Sequence, residues 1–110
     1  MIYIIRERAT KEQLQEMMEV LQTYVKLADI DRGILAGGGA MHADCEAVLL
    51  EDGSQQEFIW GADWNPESQE VTFESLINIR PRQNNRSLEL QDPDLRAKVE
   101  QVTRTLLGGV

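Results

Sequence analysis

Three arginines lie close together in a polar stretch of the sequence, residues 78–87. Arg80, Arg82 and Arg86 are interspersed there with asparagine, glutamine and serine side chains. A guanidinium group is a planar fork of donors that matches the oxygens of carboxylates and phosphates. The stretch therefore predicts a loop that accepts an anion. Its candidate ligand-binding residues are Arg80, Arg82, Asn85, Arg86 and Ser87.

A different interpretation is that these arginines pair with carboxylates of the same chain. The sequence has 19 Asp and Glu against 11 Lys and Arg, so acidic partners are plentiful. An ion pair on a protein surface contributes only about 0–1 kcal/mol to stability. The sequence thus leaves two interpretations open: a functional anion site, or a structural clasp in which the arginines are held by groups of the same chain. The nearest acidic partners in the sequence are Glu74, Glu89, Asp92 and Asp94.

A second candidate site surrounds the only histidine of the chain. His42 follows the glycine triplet at 37–39 and precedes Asp44 and Glu46. On a strand all three polar side chains share a face, whereas on a helix only His42 and Glu46 do. An imidazole beside carboxylates can hold a divalent metal or act as a general base. Because the sequence identifies no further ligand, we predict no metal and no cofactor, and these three residues remain candidate catalytic residues.

The charge balance restricts the kind of partner. At a formal net charge of −8, the protein repels a nucleic-acid backbone at long range, so extended nucleic-acid binding is not expected. Charges are screened over about 8 Å at physiological salt, so a local arginine cluster can still hold one small anion. The apolar runs are far shorter than the ~20 residues of a membrane-spanning helix, and one cysteine fits a reducing compartment. We therefore expect a cytoplasmic protein without a membrane segment.

The secondary structure that positions these residues is clearest near the two ends of the chain. Residues 2–5 are β-branched or aromatic and predict a short strand. A capping box begins at Thr10, and the helical spacing of apolar residues behind it predicts a helix over about 11–28. The Asp-Pro pair at 92–93 marks the start of a last helix over 93–107.

The middle of the chain predicts a run of strands, over residues 30–36, 45–51, 58–64 and 71–79. Turn signals, such as the Asp-Gly pair at 52–53, indicate that neighbouring strands are antiparallel. A short helix over 40–47 is an alternative to the second strand, because alanine favours helices. The sequence thus predicts one α+β domain, residues 1–110, with a mostly antiparallel sheet of four to five strands and two helices on one face.

Two helices on one face leave the other face of such a sheet open. Phe58, Trp60 and Trp64 alternate along one predicted strand. On an uncovered face these aromatic side chains would form an apolar patch suited to a partner. Tryptophans at such positions more often pack in the core or at a sheet edge, so the pattern leaves two interpretations open: core packing, or docking on the sheet of a second copy in a homodimer or of another protein.

Several short motifs together resemble a family of small uncharacterised bacterial proteins, mainly cyanobacterial, that is classed as a domain of unknown function. The likeness covers most of the chain. It implies a cytoplasmic, stand-alone bacterial domain and carries no activity or site residue. The motifs are Gly-Ile-Leu-Ala-Gly-Gly-Gly (33–39), His-Ala-Asp-Cys-Glu (42–46), Leu-Leu-Glu-Asp-Gly-Ser (49–54), Trp-Gly-Ala-Asp-Trp (60–64), Ile-Asn-Ile-Arg-Pro (77–81) and Asn-Arg-Ser (85–87).

These observations favour a small non-enzymatic binding or protein-interaction module with an anion-accepting arginine loop. The alternative is a small hydrolase or nuclease-like enzyme. In that enzyme His42 is the general base, Asp44 or Glu46 orients it, and an arginine stabilises developing negative charge. The enzyme requires the His42 segment and the arginine loop to meet in space.

Overall fold

The computed structural model of the protein describes residues 2–19 and 24–110. Within these ranges it has three α-helices and one antiparallel sheet, with strands in the order β1-β3-β2-β4-β5. The predicted α+β class is confirmed, although two helices were predicted. In chain order the elements are β1 (Tyr3–Ile5), α1 (Lys11–Met17), β2 (Tyr24–Asp29), β3 (Ile34–Gly39), α2 (His42–Glu51), β4 (Ile59–Asn65), β5 (Glu70–Thr72) and α3 (Pro93–Leu107).

The central strand β2 is covered on both faces. Its Leu27 and Ala28 point to opposite sides, as successive strand residues do. Ala28 packs with Trp60 on the side of α1 and α3, whereas Leu27 packs with Leu49 of α2 on the other side. The two helices that were predicted thus share one face, and the additional helix covers the second. The strand predicted over 30–36 forms β3, displaced toward the C-terminus.

The first helix is shorter than the sequence predicts. Its start is confirmed, since the Thr10 hydroxyl accepts from the Gln13 amide at 3.1 Å and the Gln13 side chain accepts from the Thr10 amide at 3.0 Å. The helix ends at Met17, and residues 24–28 belong instead to β2. A strand buried on both faces carries a continuous apolar run, which helical spacing also fits. Residues 20–23 of the predicted helix lie outside the described ranges.

The segment predicted as a strand over 45–51 is helical, so this prediction is wrong. Helix α2 begins at His42, and the alternative helix over 40–47 was the correct interpretation. Cys45 and Leu49 lie one helical turn apart, and both are fully buried against the sheet. Packing of this apolar pair on the second sheet face decides between helix and strand.

The apolar patch predicted from Phe58, Trp60 and Trp64 is also wrong. Both tryptophans are buried, Trp60 in a cluster with Val99 and Trp64 in a cluster with Leu106, beneath α3. Helix α2 occupies the sheet face that was expected to be open. The tryptophans are therefore not available as a docking surface, and the homodimer itself stays a prediction.

The long strand predicted over 71–79 is interrupted. Strand β5 covers only Glu70–Thr72, and two turns of 3-10 helix follow, at Leu76–Asn78 and Pro81–Gln83. The Ser75 hydroxyl accepts from an amide of the first turn, so it begins a turn where an uninterrupted strand was expected.

Three predicted elements are recovered closely: strand 2–5 as β1, strand 58–64 as β4 and helix 93–107 as α3. The Asp92 carboxylate caps α3 and accepts from the Asp94 amide at 2.8 Å. Among the described residues, no helix has both the length and the apolar content needed to cross a membrane.

Candidate functional site

The arginine stretch belongs to a loop, residues 75–88, whose two ends meet. The Ser75 amide donates to the Leu88 carbonyl at 3.0 Å. Further along, Arg80 and Asn85 exchange backbone hydrogen bonds of 2.6 and 3.1 Å. Compact surface loops that close on themselves in this way frequently carry function. We refer to residues 75–88 as the 75–88 loop.

Asn78 attaches this loop to the sheet. Strand β5 ends at Thr72, so the edge of β4 at Gly61 lacks a neighbouring strand. The Asn78 carboxamide takes that place, accepting from the Gly61 amide at 2.8 Å and donating to the Gly61 carbonyl at 3.0 Å. Gly61 is needed because a Cβ there would lie 2.5 Å from the Ser75 Cβ. Backbone groups that would otherwise be buried without partners are thus satisfied.

Asn85 and Ser87, two of the predicted ligand-binding residues, direct their polar atoms at backbone groups of the loop and of the segment that follows it. The buried Asn85 side-chain amide faces the carbonyls of Asn78, Ser87 and Glu89 at 2.7–3.1 Å. Its oxygen accepts from the Gln91 amide at 3.0 Å. The Ser87 hydroxyl accepts from the Glu89 amide at 3.1 Å. These contacts hold the loop in one conformation.

Arg80 acts as a clasp between the loop and the sheet. Its guanidinium donates to the carbonyls of Ile77 at 2.9 Å, Gln56 at 2.7 Å and Ile59, and it stacks over the Trp60 ring at 4.4 Å. Backbone carbonyls therefore hold this side chain. Of the carboxylates proposed from the sequence, Glu89 pairs with Arg96 at 2.9 Å and Asp92 caps α3.

Glu46 is the carboxylate nearest to Arg80, 3.9 Å from its Nη2 atom. Burial lowers the pKa of the Arg80 guanidinium, and the charge of Glu46 acts in the opposite direction. The ordinary pKa of arginine lies so far above neutrality that the group remains a cation. Glu46 lies one turn beyond His42 on α2, so the two segments that the enzyme hypothesis requires to meet do so here.

Arg82 and Arg86 are placed differently. Both side chains are exposed, and neither guanidinium has a hydrogen bond or ion pair within the part of the chain that the structure describes. Arg82 lines a shallow cavity of about 260 Å³ with Gln56, Arg80 and Gln83. These two arginines are the cationic side chains of the loop that remain open to a ligand in the described structure, and anion binding by them stays a prediction.

His42 contacts strand β4. Its Nε2 atom lies 3.2 Å from the Ala62 carbonyl oxygen and 3.1 Å from Asp63 Oδ1. The hydrogen-bond geometry is met at the Ala62 carbonyl. The Asp63 carboxylate therefore acts on the imidazole through its nearby charge and not through a hydrogen bond. Asp44 lies exposed on α2 and Glu46 faces Arg80. The carboxylate beside His42 is thus Asp63, which the sequence did not suggest because 21 positions separate the two residues.

A small cavity of about 210 Å³ lies between the start of α2 and the 75–88 loop. Its rim is apolar and unusually exposed: Met41 has 59% and Leu76 has 73% of its surface open to solvent. We refer to this cavity as the α2–loop pocket. The sequence did not predict it, since one wall is a helix that was interpreted as a strand. The lining residues are Met41, His42, Ala43, Ser75, Leu76 and Ile77.

Lys26 is an unexpected charged group in the interior. It is fully buried in β2, and its Nζ atom has no hydrogen-bond partner among the described residues. Burial lowers the pKa of Lys26 well below its ordinary value, an effect that the charge of Asp63 opposes and that of Arg104 reinforces.

In the described ranges, no group of three or more His, Cys, Asp or Glu side chains is arranged to hold a metal ion.

Comparison with known proteins identifies a family for the chain, but no individual relative. A family model described as "Protein of unknown function (DUF5674)" matches residues 3–106. No curated protein and no solved structure matches the chain.

Proposed function

The chain belongs to the DUF5674 family, and we propose that this member is a small non-enzymatic module that binds an anionic partner through Arg82 and Arg86. One observation carries the proposal: these two guanidinium groups are exposed and unpaired within the described chain, whereas the third arginine of the loop, Arg80, is held by backbone carbonyls. A guanidinium in that state is available for a carboxylate or phosphate.

The rigidity of the loop supports this proposal. The buried carboxamides of Asn78 and Asn85 and the clasp made by Arg80 fix the backbone that presents the two outer arginines. A binding surface that is already ordered loses less conformational entropy when a partner arrives. An exposed loop held this firmly is consistent with recognition.

The distribution of charge supports it as well. Residues 76–88 contain three of the 11 basic residues and none of the 19 acidic ones. The remainder of the protein therefore carries all of the negative charge, and this short segment is an electropositive island. An anionic group is attracted to the island within the screening distance of about 8 Å and repelled elsewhere.

The proposal is tested by amide chemical-shift mapping with inorganic phosphate and with succinate, a dicarboxylate. We expect shifts confined to residues 80–88, and their loss in the double variant Arg82→Ala/Arg86→Ala. The matched control is Lys11→Ala/Lys98→Ala, which removes two exposed lysines elsewhere. Absence of any shift in the wild type, or equal shifts in the arginine variant, would refute the loop as an anion site.

A hydrolase is the second candidate, favoured by the position of His42. This residue lines the α2–loop pocket together with Ser75, and the Asp63 carboxylate lies beside its ring. In this alternative His42 takes a proton from an attacking water, and Asp63 assumes the orienting role first assigned to Asp44 or Glu46. Turnover of p-nitrophenyl acetate or bis(p-nitrophenyl) phosphate that disappears in His42→Ala would establish it. Rates equal to buffer, or unchanged in the variant, would reject it.

We also propose that the protein works in the cytoplasm. Its one cysteine, Cys45, is a buried thiol whose pKa burial raises to about 11, so it is poorly reactive. A single buried thiol forms no disulfide within the chain, whereas proteins of oxidising compartments commonly carry disulfides. The bacterial origin implied by the sequence resemblance stays a prediction.

A further inference from the structure

We propose that the partner is an acidic segment of another protein, which places one large apolar side chain in the α2–loop pocket and its carboxylates on Arg82 and Arg86. This inference rests on the proposed function and specifies what the loop binds. It follows from an apolar cavity and an electropositive island that share one loop.

The pocket has the size and lining of a side-chain site. Its volume, about 210 Å³, falls below the ~300–1,000 Å³ of pockets that take drug-sized ligands. Met41 and Leu76 at the rim expose 59% and 73% of their surfaces, although burying such side chains is favourable. An inserted apolar side chain would cover both residues. Exposed apolar groups around a preformed cavity are typical of an interaction site.

The pocket and Arg82 lie within reach of one short segment, and Arg86 directly follows Asn85, whose backbone pairs with that of Arg80. Ile77 lines the pocket, and its carbonyl accepts from Arg80 Nε at 2.9 Å. Arg80 in turn lines the cavity that contains Arg82. Ile77 and Arg82 are five positions apart in the sequence, so their Cα atoms are at most about 18 Å apart. A peptide of about six extended residues spans that distance.

Charge identifies the segment as acidic and as part of a protein. The loop offers Arg82 and Arg86 as unpaired donors, and additional exposed apolar side chains, Ile79 and Leu88, flank them. An anionic membrane could also use apolar and basic groups. However, the net charge of −8 repels such a surface as a whole, whereas a short acidic segment contacts the island alone.

The test is selection of a random dodecapeptide phage library on the wild-type protein, followed by affinity measurements on the enriched peptides. We expect acidic peptides with at least one large apolar residue. Their affinity should fall at least about tenfold in Arg82→Glu/Arg86→Glu and remain unchanged in Lys11→Glu/Lys98→Glu, which has the same net charge. Enrichment of neutral or basic peptides, no enrichment, or binding to phosphatidylglycerol vesicles in place of peptides would overturn the inference.

A second pair of variants tests the pocket separately. Ala43→Phe fills the pocket, whereas Ala47→Phe adds the same ring one turn further along the exposed side of α2. We expect only Ala43→Phe to lower the affinity for the peptide. Replacing the apolar residue of the peptide by serine should lower its affinity about tenfold. The peptide change cannot affect the fold of the protein. If the arginine variants abolish binding while both pocket tests are silent, the pocket inference fails and the proposed function stands; if the arginine variants are also silent, both fail.

Discussion

Arg80 and Arg82 are separated by one residue, yet one guanidinium is held by three backbone carbonyls and the other is exposed without a partner in the described chain. Pro81, between them, begins a turn of 3-10 helix that directs the two side chains differently. Arg80 stabilises the loop against the sheet, and Arg82 remains available to a ligand. The functional and structural interpretations of the arginine stretch therefore apply to different residues.

This division predicts opposite outcomes for two alanine substitutions. Arg80→Ala removes charge-assisted hydrogen bonds to carbonyls that become poorly solvated, and should lower the free energy of unfolding by about 2–4 kcal/mol. Arg82→Ala changes an exposed side chain and should stay within about 0.5 kcal/mol of the wild type. Urea denaturation measures both. Arg80→Lys should also be destabilising, because an ammonium cannot reach carbonyls arranged for a planar fork; wild-type stability in that variant would contradict the clasp.

The second prediction concerns Asn78. Asn78→Ala leaves the amide and carbonyl of Gly61 without their partner at the edge of β4, and should lower the free energy of unfolding by about 2–4 kcal/mol. Gln15→Ala, on the exposed side of α1, is the control and should be nearly neutral. Equal stability of the two variants in urea titrations would show that the carboxamide does not replace a strand partner.

The third prediction concerns the buried amine of Lys26. Lys26→Met keeps a long side chain and removes an unsatisfied polar group, so the free energy of unfolding at neutral pH should rise by about 1–3 kcal/mol. Because burial lowers the pKa of Lys26 in the folded protein, the unfolded chain binds more protons between that pKa and the ordinary value of 10.5. Wild-type stability should therefore gain from rising pH across this window.

The methionine variant has no such titration, so its advantage should shrink as the pH approaches 10.5. Denaturant titrations of both proteins across the alkaline range provide the measurement. A difference in stability that is independent of pH would mean that Lys26 is charged in the folded state.

The fourth prediction concerns salt. If exposed arginines recognise carboxylates, raising NaCl from about 50 to about 500 mM should lower the affinity of an acidic peptide about tenfold, because surface charges are screened. The contribution of the apolar peptide residue, measured against its serine counterpart, should persist at high salt. A peptide affinity insensitive to salt would exclude the arginine contact.

Local signals explain which parts of the fold could be predicted. The start of α1 at Thr10 and the start of α3 at Asp92 depend on residues within one turn, and both are recovered. Whether residues 24–28 and residues 42–51 form a helix or a strand depends on which faces of the sheet are covered. The helical and strand patterns overlap for apolar runs of that kind. Those two segments were misassigned for this reason.

The site could be predicted only in part, for a related reason. The arginine cluster is visible in the sequence because its members are close together along the chain. The contact of Asn78 with Gly61 joins residues 17 positions apart, and that of His42 with Asp63 joins residues still further apart. No spacing rule applies to such pairs, since the packing of α2 and of the loop on β4 creates them.

Contact of Arg82 and Arg86 with the carboxylates of a partner can be tested by exchanging the charges. An enriched acidic peptide and its lysine-substituted counterpart are titrated calorimetrically into the wild type and into Arg82→Glu/Arg86→Glu. The variant should lose the acidic peptide and bind the lysine peptide, with the opposite preference in the wild type. Failure of the lysine peptide to bind the variant, or the same preference in both proteins, would contradict this contact.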